Sequence, residues 1–289
     1  MVVMKKIDRA VQFLTQNPQL LICPHCQEPL NLSDYHLTCA HGHQYDLSKK
    51  GTLYLMRRAV TSDYDSPEMW QARRQMLSAG LFDGILEAIN EALPNDSQII
   101  LDIGCGEATP LARLAQLRHN EGDRYLGFDI SKDAVNLATQ HDLAAFFCLA
   151  DLANLPYQDR SVDAMIDIFS PSAYQEFNRV LKDDGLLLKV IPGADYLGQL
   201  RRLLYPDVND QHHRYSNAKV RELFFKHYPD AKEVKVNYTF PLTPALFPQL
   251  LAMTPLQWGA SAERIATALA QGLREITVDV SLLVAQKQK

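Results

Sequence analysis

Cys23, Cys26, Cys39 and His43 fall in the pattern C-x2-C-x12-C-x3-H. Three thiolates and one imidazole are the ligands of a closed, tetrahedral structural zinc site. A redox C-x-x-C would sit between a strand and a helix, whereas Pro24 and Pro29 place this knuckle on a loop. His41 is an alternative fourth ligand, although its single-residue spacing from Cys39 is cramped. His25 and His36 read as surface residues. Between the cysteines, Leu30, Leu32, Tyr35 and Leu37 surround a Ser33-Asp34 turn, the pattern of a β-hairpin and hence of a zinc ribbon. So small a unit buries little core and depends on its metal to stay folded. With four protein ligands no coordination position is open to water, so the zinc is structural.

A second group of residues points to a cofactor. The run Gln98–Gly106 ends in Asp102-Ile-Gly104-Cys-Gly106, and a helical pattern follows from Leu111. Strand, glycine turn and helix open a Rossmann-like unit, in which the glycines allow a tight turn and close approach of a ligand. Tyr125–Asp129 reads as a second strand whose terminal acid lies 23 residues beyond Gly106, and Ala145–Ala150 as a third, followed by Asp151. Asp102, Glu107, Asp129 and Asp151 are expected to converge on the mouth. A pyrophosphate would avoid such acids. They suit a ligand with an ammonium, a sulfonium and no phosphate: S-adenosylmethionine. Asp102 would face its methionine end, Asp129 the ribose hydroxyls and Asp151 the adenine amino group. The turn after the fourth strand, Phe169-Ser170-Pro171-Ser172, is the expected edge of an acceptor pocket, with Phe169 able to stack on a planar base.

These residues need a scaffold. Further strands are expected over 161–169, 185–191, 232–240 and 275–285, with helices between. The fold class is therefore α/β: a Rossmann-like class I methyltransferase with a mostly parallel seven-stranded sheet, plus the N-terminal zinc ribbon. Ser66-Pro67-Glu68 starts a helix, with an N-cap, a Pro at the first position and an acid in the first turn. The organisation is a zinc ribbon over 1–60, a helical linker over 61–95, and a methyltransferase domain over 96–289. The insertions 192–230, which contains His212-His213-Arg214, and 241–272 are expected to overhang the acceptor side. Arg57, Arg58, Arg73 and Arg74 stand around the hinge.

The 289 residues carry a net charge of −5. Residues 1–60 hold seven basic and four acidic residues, a local excess of +3 on an otherwise acidic chain. Bulk charge thus does not mark a nucleic-acid binder, while the head could grip an anionic polymer. No apolar run is long enough to cross a bilayer and no compact apolar leader opens the chain, so the expected address is the cytoplasm.

The segments CPHCQEPL, HGHQYDLSKKG, SPEMWQARRQMLSAG, DIGCGE, LPYQDRSVD and MTPLQW resemble the RlmA family of 23S ribosomal-RNA guanine-N1 methyltransferases. The likeness runs from about Leu21 past Trp258, and FSPSAYQEFNRVL resembles the Gram-positive branch associated with macrolide-type antibiotic resistance. The resemblance implies an S-adenosylmethionine-dependent enzyme acting on one guanine of a 23S rRNA hairpin, commonly as a homodimer. It assigns the zinc to Cys23, Cys26, Cys39 and His43, and adds Phe82 and Tyr196 to the cofactor contacts. With it, the ribbon over 1–60 is the expected RNA-recognition domain, and Arg57, Arg58, Arg73 and Arg74 would hold RNA around the hinge. Ala108 departs from the pattern, standing where a glycine is common, and Thr109-Pro110 replaces an aromatic pair. Two rivals share the motifs. A small-molecule methyltransferase would have a closed apolar pocket without a basic approach, and a non-enzymatic docking protein would bind the cofactor and methylate nothing.

Overall fold

The computed structural model describes residues 4–58, 66–210, 212–213 and 215–288. Arg214 and the expected boundary between residues 60 and 61 lie outside them.

The first element is helix α1 (Lys6–Gln16), which the expectations above do not include. Ala10, Phe13 and Leu14 form its buried stripe at helical spacing, and Phe13 stacks on Phe146 with ring centroids 6.1 Å apart. The ribbon follows as an antiparallel sheet in the order β1 (Asn31–Ser33), β2 (His36–Thr38), β3 (Gln44–Asp46). Its first hairpin turns at Asp34, whose φ of 51° is in the left-handed region that Asp tolerates better than most residues. Next come β4 (Leu53–Tyr54), α2 (Pro67–Ser78) and α3 (Asp83–Ala92). Ser66 caps α2 as expected, accepting from the Met69 amide at 3.4 Å.

The large sheet and its helices then alternate: β5 (Ile99–Ile103), α4 (Thr109–Arg118), β6 (Arg124–Asp129), α5 (Lys132–Ala138), β7 (Ala145–Leu149), β8 (Val162–Ile168), α6 (Tyr174–Val180) and β9 (Leu181–Pro192). Then follow α7 (Gly198–Leu204), α8 (Ala218–His227), β10 (Lys232–Pro241), α9 (Leu246–Met253), α10 (Ala262–Gln271) and β11 (Glu275–Gln286). Strand order is β10-β11-β9-β8-β5-β6-β7-β4, parallel from β9 to β4 and antiparallel at β11 and β10. The order reverses at β5, between β6 and β8, which opens a crevice at the carboxyl end of β5. The seven expected strands are all present. An eighth, β4, is added by the end of the ribbon, Leu53 pairing with Cys148 and Tyr54 with Leu149. Two residues are too few to show a strand's period-2 pattern in sequence.

Helices α2, α3, α4, α7 and α9 pack one face of the sheet, through Met76, Ile89, Leu111, Leu200 and Leu250. On the other face, Leu20, Leu30, Leu37 and Cys39 of the ribbon share a single apolar cluster with Phe146, Tyr157 and Phe177. The ribbon therefore completes its core on the sheet, as so small a unit must. Phe224 of α8 joins that same cluster, so this part of the 192–230 insertion packs on the ribbon face of the sheet. The 241–272 insertion places α9 against α2.

Candidate metal centre and cofactor pocket

The knuckle and the β2–β3 loop bring Cys23, Cys26, Cys39 and His43 together, with all four ligand atoms within 4.8 Å of one another. His43 Nδ1 lies 3.5 Å from Cys23 Sγ and 3.3 Å from Cys39 Sγ, and the Cys26 and Cys39 sulfurs are 3.5 Å apart. A zinc tetrahedron with metal–sulfur bonds of about 2.3 Å has edges of about 3.7 Å, so the cluster has the dimensions the ion requires. His41 is exposed and outside the cluster, which resolves the choice between the two histidines. The Tyr45 hydroxyl lies 3.2 Å from Cys23 Sγ and would donate to a thiolate there.

The knuckle is also tied to the sheet. Asn154 donates to the Pro24 carbonyl at 3.3 Å, Ile22 N–H donates to Pro156 O at 3.0 Å, and Gln27 donates to Asn154 Oδ1 at 3.3 Å. These contacts hold the turn that begins at Asp151.

Gly104 and Gly106 both have left-handed backbones, with φ of 62° and 55°. A Cβ on Gly104 would collide with Ser170 Oγ, and one on Gly106 would come within 2.9 Å of the Trp70 ring. The loop is thus pressed between the acceptor turn and α2. Asp102, at the end of β5, is 5% exposed, and among the described residues no donor bonds its carboxyl. Burial, reinforced by the charges of Asp129 and Asp167, pushes that carboxyl up to about 8. A buried, uncompensated acid is costly by itself and favours a cationic ligand, which is the chemistry of a sulfonium and an ammonium. The residues fit the cofactor on this ground.

Asp129 accepts from the Gly106 and Ser131 amides, each at 2.9 Å, and so closes the loop onto the start of α5. Burial raises its carboxyl despite those bonds. Asp151 is exposed, and its Oδ1 accepts from the Ala153 amide at 2.9 Å. Glu107 does not join the mouth as expected. It turns back to cap α4, accepting from the Thr109 amide at 3.1 Å and hydroxyl at 2.7 Å, and it pairs with Arg74 at 2.9 Å. Although burial acts to raise it, bonds from His141, Thr109 and Arg74 hold this carboxyl below its ordinary range.

On the acceptor side, Phe169 has a φ of 63°, strained for an aromatic residue. The strain is held by a buried pair beneath the turn. Lys189 Nζ donates to Asp167 Oδ2 at 2.7 Å and to Ser170 O at 2.8 Å, while Asp167 Oδ1 accepts from the Ser170 amide at 3.0 Å. Ser170 Oγ donates to Ile103 O at 2.9 Å, joining the turn to the glycine loop. Phe169 lies edge-on to Phe82 at 5.7 Å and tilted against Tyr196 at 5.0 Å, so the three aromatics form one wall. Pro171 is exposed at the rim.

The expected RNA role of Arg73 and Arg74 needs correction. Arg74 is consumed by bonds to Glu107, Gln140 and the Leu137 carbonyl, which clasp α2 to α4 and α5. Arg73 lies over the cofactor side, its guanidinium carbon 6.0 Å from the Phe82 centroid. A signal for this was present in the sequence. Position 73 falls on the stripe of Met69, Trp70, Met76 and Leu77, which are all buried, so an arginine there asks for a partner.

Residues 21–57 match the family model for the N-terminal zinc ribbon of RlmA, and residues 94–226 match a methyltransferase-domain model. Over 274 residues the chain is 34% identical to a Bacillus subtilis (strain 168) protein named "Putative 23S rRNA (guanine-N(1)-)-methyltransferase YxjB", covering 92% of this chain and 96% of that one. It is 29% identical to the 23S rRNA (guanine(748)-N(1))-methyltransferase of Streptomyces fradiae, with the same coverage of both chains. Likeness along nearly the whole chain, a Cys3His cluster and an acid-lined glycine loop agree: the chain belongs to the RlmA family of S-adenosylmethionine-dependent 23S rRNA guanine-N1 methyltransferases.

Proposed function

We propose that this chain methylates N1 of one guanine in a hairpin of 23S rRNA. The observation that carries the reading is the juxtaposition of the uncompensated Asp102 carboxyl with the aromatic wall of Phe82, Phe169 and Tyr196. One suits a cationic cofactor and the other a planar base. When bound, S-adenosylmethionine supplies an electrophilic methyl group on a sulfonium. Asp102 would take the methionine end, Asp129 the ribose and Asp151 the adenine amino group, while Gly104 and Gly106 would allow close approach. Phe169, Ser170 and Pro171 form the edge against which the guanine is seated. Alignment of this kind can supply roughly 7–11 kcal/mol of barrier reduction. Transfer to N1 would also require the N1 proton to be given up. Asp167 is not the acceptor of that proton, since it is buried and committed to Lys189 and Ser170. N1 lies on the pairing edge, so the guanine must be unpaired or flipped to reach the pocket.

The wider reading assigns the division 1–60, 61–95 and 96–289, a homodimer, action in the cytoplasm and an effect on macrolide susceptibility. The basic residues of 1–60 contact phosphate and set register. The test is methyl transfer to 23S rRNA fragments from a strain lacking the gene. A methyl group on N1 blocks primer extension, so one new stop at a guanine is expected. No stop, with transfer to small amines or acids instead, would favour the small-molecule rival. Ultracentrifugation and macrolide susceptibility with and without the gene test the remaining parts.

A further inference from the structure

Arg73 and Arg74 are neighbours on α2 with opposite fates. Arg74 is saturated, as described above. Among the described residues, no acceptor takes a hydrogen bond from Arg73 and no carboxylate pairs with it. Yet Arg73 lies against the glycine loop. Its Nε would be 3.9 Å from a Cβ on Gly106, and its guanidinium faces the Phe82 ring. Its charge lowers the carboxyls of both Asp102 and Asp129 against the effect of burial, and it acts also on Tyr196. Beside it, Trp70 meets the same glycine, and Trp70 Nε1 is buried with no hydrogen-bond partner among the described residues. The wall of α2 over the loop thus presents a guanidinium without an acceptor and a buried donor without an acceptor.

A ligand with both charges explains this arrangement. The methionyl group of the cofactor carries an ammonium and a carboxylate on one carbon. Asp102 answers the ammonium but would repel the carboxylate. A fork of N–H donors is the natural partner of a carboxylate. We propose that Arg73 binds the methionyl carboxylate of S-adenosylmethionine and so makes α2, an element outside the Rossmann core, part of the cofactor site. The inference rests on the proposed function and adds the residue that distinguishes the amino-acid end of the cofactor from a simple amine. Arg73 also offsets the crowd of acids while the pocket is empty.

The test compares two ligands by calorimetry: S-adenosylmethionine, and decarboxylated S-adenosylmethionine, which keeps the ammonium and sulfonium but lacks the carboxylate. In Arg73→Met, binding of S-adenosylmethionine is expected to weaken by about 10- to 100-fold, the usual range for loss of a charged hydrogen bond. Binding of the decarboxylated ligand is expected to hold or tighten, since a repelling cation has gone. Arg73→Lys should retain part of the preference. Thermal unfolding of the variant should shift far less than that of Arg74→Met, because among the described residues the Arg73 side chain donates no hydrogen bond. Equal weakening for both ligands, or none for either, overturns the proposal. If the parent protein binds neither ligand, the cofactor reading itself fails, a result distinct from loss of discrimination.

Discussion

The metal centre and the cofactor mouth are built in opposite ways. The first takes all its ligands from residues 23–43, so spacing alone narrows them to three cysteines and one of two histidines. The second draws on α2, β5, the glycine loop, the end of β6, the turn after β8 and Tyr196, so each residue's role depends on where remote elements meet. The two are nevertheless joined. Asn154 bonds the knuckle carbonyl of Pro24 within the turn that begins at Asp151, and the ribbon's leucines share a core with Phe146 and Tyr157. A region whose chemistry is local can still be mechanically part of a remote site.

The strongest way to break this comparison is Cys39→Ser. If the two regions were independent, zinc would be lost and cofactor binding kept. The shared core and the stitched turn give another outcome: loss of zinc by elemental analysis, a stability loss of more than about 4 kcal/mol, and weaker cofactor binding in calorimetry. A single unfolding transition that shifts as a whole would confirm the coupling. Two transitions, with the upper one unmoved, would refute it.

The next largest effect separates the two arginines. Arg74→Met strips a bond from the buried Glu107 and releases α2 from α5, at a cost of about 2–3 kcal/mol in denaturant unfolding. Equal stabilities of Arg74→Met and Arg73→Met would contradict the division of labour between them.

Proton linkage offers a smaller test. The Asp102 carboxyl is raised in the folded protein from its ordinary 3.8 to about 8. The free protein therefore holds a proton that the unfolded chain gives up, and stability falls as pH climbs from near 3.8 through about 8. A bound cation favours the carboxylate. Cofactor affinity should accordingly increase with pH up to about 8, by no more than roughly tenfold per unit for one proton. Calorimetry in buffers of different ionisation enthalpy should register the released proton, and Asp102→Asn should abolish it. A flat profile in the parent would show that Asp102 does not meet the ligand's charge.

The smallest effect concerns the loop itself. Ala108 has a φ of 63°, which costs an alanine about 1–2 kcal/mol relative to glycine. Glycine's greater freedom in the unfolded chain returns part of this. Ala108→Gly should raise stability by up to about 1 kcal/mol in chemical denaturation, unless the buried methyl packs well enough to cancel the gain.

Much of this architecture was legible beforehand. The seven strands were visible as apolar runs, and the acids Asp102 and Asp129 as strand ends. Other features were not. Helix α1 is masked in the sequence by its charged first residues, although Ala10, Phe13 and Leu14 carry its stripe. Strand β4 is too short to announce itself. The position of Glu107 in the loop suggests the mouth, whereas its carboxylate caps α4.

By itself, then, the sequence determined the three cysteine ligands, the order of strands and helices and the chemistry offered at the strand ends, since each depends on residues close together along the chain. Tertiary structure alone decided which histidine joined the cysteines, which acid faced the pocket, and which of two adjacent arginines became a clasp. Successive helical residues point about 100° apart. What each one meets is therefore decided by the packing of α4, α5 and the sheet around α2, which no local pattern encodes.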